Sequence, residues 1–170
     1  MKFNFKIQPY QTDAVEATCG VFAGQPYQER TRYIRDLGRL DGSLMQQQRL
    51  LVEEIEENVD FFDDTGYKNA HLALTDAQLL ENIRKIQLGG NIKQSPALVK
   101  DLGRLCLDIE METGTGKTYV YIKTMFELYK RFGFSKFMVV VPSIAIREGV
   151  KKSLEMTEDH FMAQYGHKVR

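Results

Sequence analysis

The spacing of apolar and polar positions changes three times along the chain. Residues 1–40 open with the short extended run "FNFKI". After Pro9 comes "YQTDAVEATCGVFAG", whose period predicts a helix with Tyr10, Ala14, Ala17 and Val21 on one face. "QPYQERTRYIRDLGRLDGS" follows and is basic and rich in turn residues. Between Ser43 and Gly90 the pattern predicts two helices, with bodies "LLVEEIEENVDFF" and "AQLLENIRKIQL". Ser43 with Gln46, and Thr75 with Gln78, have the spacing at which a hydroxyl and a side-chain amide satisfy each other's backbone N–H groups at a helix start. From Arg104 the pattern alternates: a strand in "LCLDIEM", a helix in "GKTYVYIKTMFELYKRF", a buried strand in "KFMVVVP" and a helix in "SIAIREGVKKSLEM". In the first of these helices Tyr121, Met125, Leu128 and Phe132 recur as a core-facing stripe. Strands alternating with helices predict an α/β fold, a parallel sheet covered by helices on both faces. The expected organisation is an N-terminal segment over 1–40, a mostly helical insertion over 41–103, and the start of an α/β core over 104–170.

Length and charge narrow this picture. A chain of 170 residues suffices for one ordinary core. A formal net charge of zero removes any argument from bulk charge for a nucleic-acid or membrane partner, while leaving local patches open. Cys19 and Cys106 stand far apart without metal-ligand spacing and read as reduced structural thiols. No window approaches the roughly 18 apolar residues of a membrane span, and the N-terminus lacks a signal-like apolar run, so a soluble cytoplasmic protein is expected. The acidic run from Glu53 to Asp64 reads as a solvated helix face, since no E-x-K strand accompanies it as a nuclease core would need. Arg30, Arg32, Arg35 and Arg39 form a basic stretch that could meet either DNA or that acidic run, and His71, His160 and His167 read as surface residues.

The chemistry concentrates in "DIEMETGTGKTYVYI", residues 108–122. A polyphosphate needs converging backbone N–H groups, a positive charge, and glycines that let the backbone approach closely. Thr113, Gly114, Thr115, Gly116, Lys117 and Thr118 supply all three between a predicted strand and a predicted helix. In such a P-loop the amides wrap phosphate, the lysine spans β and γ oxygens, and the threonine hydroxyl ligates Mg²⁺. Met111 occupies the position where the general pattern has its first glycine, so the match is to the helicase-type form x-x-T-G-x-G-K-T.

Two further stretches carry a resemblance. "KFMVVVPSIAIREGV" resembles the motif Ia segment of superfamily 2 helicases, and "IQPYQTDAV" resembles the segment in which that superfamily places an adenine-reading glutamine. Across Asp108–Lys152 the wording looks like the restriction (Res) subunit of type III restriction-modification enzymes. The resemblance implies a RecA-like ATP-binding core, with Gln11 on adenine, Thr113–Thr118 on ATP, Lys117 as the catalytic lysine and Thr118 on Mg²⁺. It implies Ser143 and Arg147 near the phosphates of double-stranded DNA, although Ser143 also suits a helix cap and Arg147 a solvated position. It further implies a modification (methyltransferase) subunit as partner and a nuclease domain elsewhere in the protein. No apolar strand ending in D-E-x-H follows Lys152, so the chain is expected to be an N-terminal fragment that binds ATP weakly and does not turn it over. Two parallel strands alone also predict poor solubility. The alternatives are another superfamily 2 translocase, or a non-enzymatic remnant that only binds nucleotide.

Overall fold

The computed structural model describes residues 6–28, 31–32, 67–69, 71–101 and 103–166. Its elements, in chain order, are helix α1 (Pro9–Gly20), the two-residue strands β1 (Thr31–Arg32) and β2 (Tyr67–Lys68), and helices α2 (Asp76–Gly89), α3 (Lys117–Phe132) and α4 (Ile144–Tyr165). The predicted helix in "LLVEEIEENVDFF", the Ser43–Gln46 cap, the acidic run and His167 lie outside the described residues, as do Arg30, Arg35 and Arg39 of the basic stretch.

Local sequence accounts for the helix ends. Pro9 stands in the first turn of α1, where its missing N–H leaves no helical bond unmade. Thr75 and Gln78 close the expected capping box on α2. Gly116 and Gly133, both left-handed, bound α3, and Gly166 ends α4 in the same conformation. The α4 helix runs nine residues past the predicted "SIAIREGVKKSLEM", because Leu154, Phe161 and Tyr165 extend one apolar stripe through a polar-looking stretch.

Among the described residues the core divides into three clusters. Val15, Cys19 and Val120, with Ala14, Met111 and Leu128, lie between α1 and α3. Val21, Leu74 and Leu79, with Ile83, Ile86 and Leu105 among their neighbours, form the core under α2. Ile122, Phe126 and Phe161, with Tyr119, Leu154 and Tyr165, join α3 to α4. Of the expected stripe Tyr121, Met125, Leu128 and Phe132, only Phe132 is among the buried residues of α3, together with Val120, Ile122 and Phe126. A helix packed between two others buries two faces, and one stripe cannot describe it. The face of α1 is met in part: Val21 is buried and Ala14 packs on the core as expected, while Val15 and Cys19 are the innermost residues and Tyr10 is half exposed.

The sheet departs furthest from expectation. β1 and β2 pair antiparallel over Thr31↔Lys68 and Arg32↔Tyr67, and this is the ladder among the described residues. Cys106 bridges Val99, but the rest of "LCLDIEM" and all of "KFMVVVP" pair with no strand among the described residues. A ladder needs successive backbone bonds to a neighbouring strand, and among the described residues the first segment makes only the Cys106–Val99 bond. Met138 and Val140 accordingly remain 88% and 83% exposed. The start of the second segment is held instead by a side chain: Asn69 accepts from the Ser135 and Lys136 amides at 2.9 and 2.8 Å and donates to the Lys136 carbonyl at 2.7 Å.

Polar side chains also close the exit of α1. Asn82 of α2 donates to the carbonyls of Val21 and Ala23, which no helical N–H can reach. Buried Gln25 donates to the His71 carbonyl and accepts from the Ala73 amide. Both thiols are free, as expected, and burial pushes that of Cys19 up to about 11. No described helix is long and apolar enough to cross a membrane.

Candidate functional site

The glycine-punctuated turn sits between the Leu107–Met111 segment and the start of α3. Gly114 and Gly116 have φ values of 83° and 84°, a left-handed geometry that residues with a Cβ rarely adopt. They fold the loop back so that Thr115 Oγ1 donates to the Glu112 carbonyl at 2.7 Å. Lys117, first residue of α3, is exposed and donates from Nζ to the same carbonyl at 2.8 Å. Its ammonium thus lies across the loop rather than out in solvent. The N-terminal end of α3 adds its positive dipole at the same place. Thr118 is half-buried on the first turn.

Gln11 arrives at this loop from the other end of the sequence. Its Nε2 donates to the Thr115 carbonyl at 2.9 Å across a separation of 104 residues. A Cβ on Gly116 would stand 2.6 Å from that Nε2, so a side chain there would displace the Gln11 amide from the loop as well as strain the backbone. Gln11, Thr113, Gly114, Thr115, Gly116, Lys117 and Thr118 therefore form one contiguous group. Ser143 and Arg147 share no hydrogen bond or ion pair with it among the described residues. Ser143 caps α4, its Oγ accepting from the Ile146 amide at 3.3 Å, and Arg147 pairs with Glu148 at 2.9 Å; both are exposed.

A family model of the type III restriction enzyme Res subunit matches residues 4–168. The chain belongs to that family. Within the Res family, it is 38% identical over 107 residues to the Res subunit of the type III restriction-modification enzyme EcoPI of Escherichia phage P1. It is 38% identical over 104 residues to that of EcoP15I of Escherichia coli. Each match covers 60% of this chain and 11% of the relative. The StyLTI Res subunit of Salmonella typhimurium is 46% identical over 61 residues, which is 35% of this chain and 6% of the relative. The chain thus spans about a tenth of the length of these Res subunits.

Around the loop of this Res-family chain the structure adds residues that pattern reading passed over. Lys123, one side of α3 and only 8% exposed, donates to Thr12 Oγ1 at 3.3 Å. Arg131, two turns further, donates from Nη1 to Glu16 Oε2 at 2.9 Å and from Nη2 to Glu16 Oε1. Hydrogen bonding from Arg131 holds the Glu16 carboxyl below its usual value. Nε of Arg131 donates to Glu127 Oε2 at 2.8 Å, and Tyr165 donates to Glu127 Oε1 at 2.6 Å. The Lys123, Glu127, Arg131 spacing of four was readable as one face of a helix, but its partners in α1 were not.

His160 corrects another expectation. It is half-buried on α4, with Nε2 3.0 Å from the Tyr119 hydroxyl and its ring edge-on to Phe161. Burial lowers its pKa, and the nearby Lys123 charge lowers it further. Among the described residues no three His, Cys, Asp or Glu side chains converge as a metal cage.

Proposed function

We propose that the Thr113–Thr118 loop and Gln11 bind Mg²⁺-ATP, and that the chain is the ATP-binding part of an ATP-dependent DNA translocase and endonuclease subunit. The single observation that carries this reading is the Gln11–Thr115 hydrogen bond. It joins a base-reading side chain to a phosphate-type loop that lies 104 residues away. The Lys117 ammonium would exchange its Glu112 carbonyl for β and γ oxygens, the loop amides would hold the β-phosphate, and Thr118 would ligate the metal. Bound Mg²⁺ supplies charge neutralisation between those phosphates.

Gln11 also supports adenine as the base. One Nε2 hydrogen is committed to Thr115, which leaves the second hydrogen and the carbonyl oxygen available. Adenine offers an acceptor at N7 beside a donor at N6 and matches that pair, whereas guanine sets its O6 acceptor against the Gln11 carbonyl oxygen. In the same reading the extended runs at 105–111 and 136–141 are strands of a RecA-like α/β sheet. Ser143 and Arg147 face the phosphates of double-stranded DNA from the exposed start of α4, and a modification (methyltransferase) subunit is the protein partner, in the cytoplasm.

Substitution tests the site directly. Lys117→Ala should weaken Mg²⁺-ATP binding at least about a hundredfold, as expected for a lost charge-assisted contact to polyphosphate, in equilibrium titration with a fluorescent ATP analogue. Undiminished binding by a folded Lys117→Ala protein would remove the loop from the site. Arg147→Ala should reduce the salt dependence of duplex binding, and an unchanged slope would take that residue out of the DNA contact.

A further inference from the structure

Two helices meet at the loop, and what sets their register is not the apolar contact between them. Val15 and Cys19 of α1 pack on Val120 of α3, and such burial is non-directional. Gln11 reaches Thr115 only if α1 lies at one position along α3. The directional contacts between the helix bodies come from two cations of α3. Lys123 holds the Thr12 hydroxyl, one residue beyond Gln11, and Arg131 holds both carboxylate oxygens of Glu16, one turn further along α1. A guanidinium fork engaging a carboxylate through two parallel bonds fixes orientation as well as distance.

The fork is itself fixed. Its Nε–H is held by Glu127, a side chain only 13% exposed, whose second oxygen is taken by the Tyr165 hydroxyl from the last turn of α4. Tyr165 is in turn stacked on Phe126, with ring planes 13° apart. The chain of contacts runs Tyr165, Glu127, Arg131, Glu16, and so ties α4, α3 and α1 together at the end of α1 away from the loop. Because the Arg131–Glu16 pair is half exposed, its contribution to overall stability is small. Its effect falls on geometry.

We propose that Arg131 is a positioning residue: oriented by Glu127 and Tyr165, it holds α1 in the register that keeps Gln11 on the nucleotide loop. The inference rests on the ATP-binding reading above and predicts a selective loss. In the full chain with Mg²⁺ present, Arg131→Met should weaken ATP binding about tenfold, the scale of one well-made polar contact, while inorganic tripolyphosphate binds within about twofold of wild type. Arg131→Lys keeps the charge but loses the fork, and should behave like Arg131→Met. Should Arg131→Met fail to fold, Tyr165→Phe deletes one hydroxyl, keeps the aromatic stack, and should show the same selectivity in smaller measure. Equal weakening of ATP and tripolyphosphate would mean that the clamp only holds the fold, and no weakening of either would mean that it holds nothing of consequence; both overturn the proposal. Wild-type protein that binds tripolyphosphate but ATP no more tightly would refute base reading by Gln11, and the positioning role with it. Wild-type protein that binds neither would instead remove the loop reading itself.

Discussion

Gly133 sits where the chain turns out of α3 beneath the segment leaving α1. Its φ is +78°, and a Cβ there would stand 2.0 Å from the Gln28 carbonyl oxygen, a backbone atom that cannot swing aside. Gly133→Ala is therefore expected to cost at least about 2 kcal/mol, combining left-handed strain with displacement of that crossing, as measured by urea denaturation. A loss below about half of that would show that the crossing relaxes easily. Gly116 differs in kind, because the atom it would meet is the mobile end of Gln11. At this scale the loop was legible: glycines, lysine and threonine announce their geometry within six residues. Lys123 and Arg131 were not. A charged residue within a helix is ordinarily solvated, and what makes these two matter is contact with Thr12 and Glu16, 111 and 115 residues away.

Among elements, α4 shows how propensity and packing divide the work. It spans 22 residues, and Gly149 lies in its interior with nothing within 4 Å of the place a methyl group would take. Gly149→Ala should stabilise the protein by about 0.5–1 kcal/mol, because a helix interior loses glycine's backbone entropy and no neighbour objects. Destabilisation in thermal unfolding would mean that this face is covered in solution. Helix ends were legible from sequence wherever the signal was local, as with the Thr75–Gln78 box and the glycine after α3. The length of α4 was missed because its second half opens with the polar run Thr157–His160, while Phe161 and Tyr165 carry the packing against α3. The sheet lies at the opposite limit. "KFMVVVP" has the residue preferences of a buried strand, yet preference supplies no neighbour to hydrogen-bond, and among the described residues the segment pairs with no strand and is largely exposed.

For the molecule as a whole, acid should act in two stages. His160 has a folded-state pKa below its ordinary 6.5, so the fold favours the neutral ring; the associated stability is present above pH 6.5 and is lost as pH falls below it. Tyr119 and Lys123 are the groups of α3 that face that ring. Glu16 is depressed below 4.5 by Arg131, so its contribution persists above that value and is lost on further acidification. Melting temperature should thus begin to fall near pH 6.5 and fall again below about 4.5, and His160→Gln should remove the first stage alone. A first stage that survives the substitution would assign it elsewhere. The Gln11–Thr115 bond carries a different consequence, one of timing. Closing a loop of 104 residues demands that the entropy of the intervening chain be surrendered before the contact forms, whereas the turn and the start of α3 assemble from neighbours in sequence. Competence to hold a base should therefore be acquired late in refolding: in stopped-flow experiments, ATP binding is expected to recover after the far-ultraviolet helix signal, and simultaneous recovery would show that α1 docks as early as the helices themselves form.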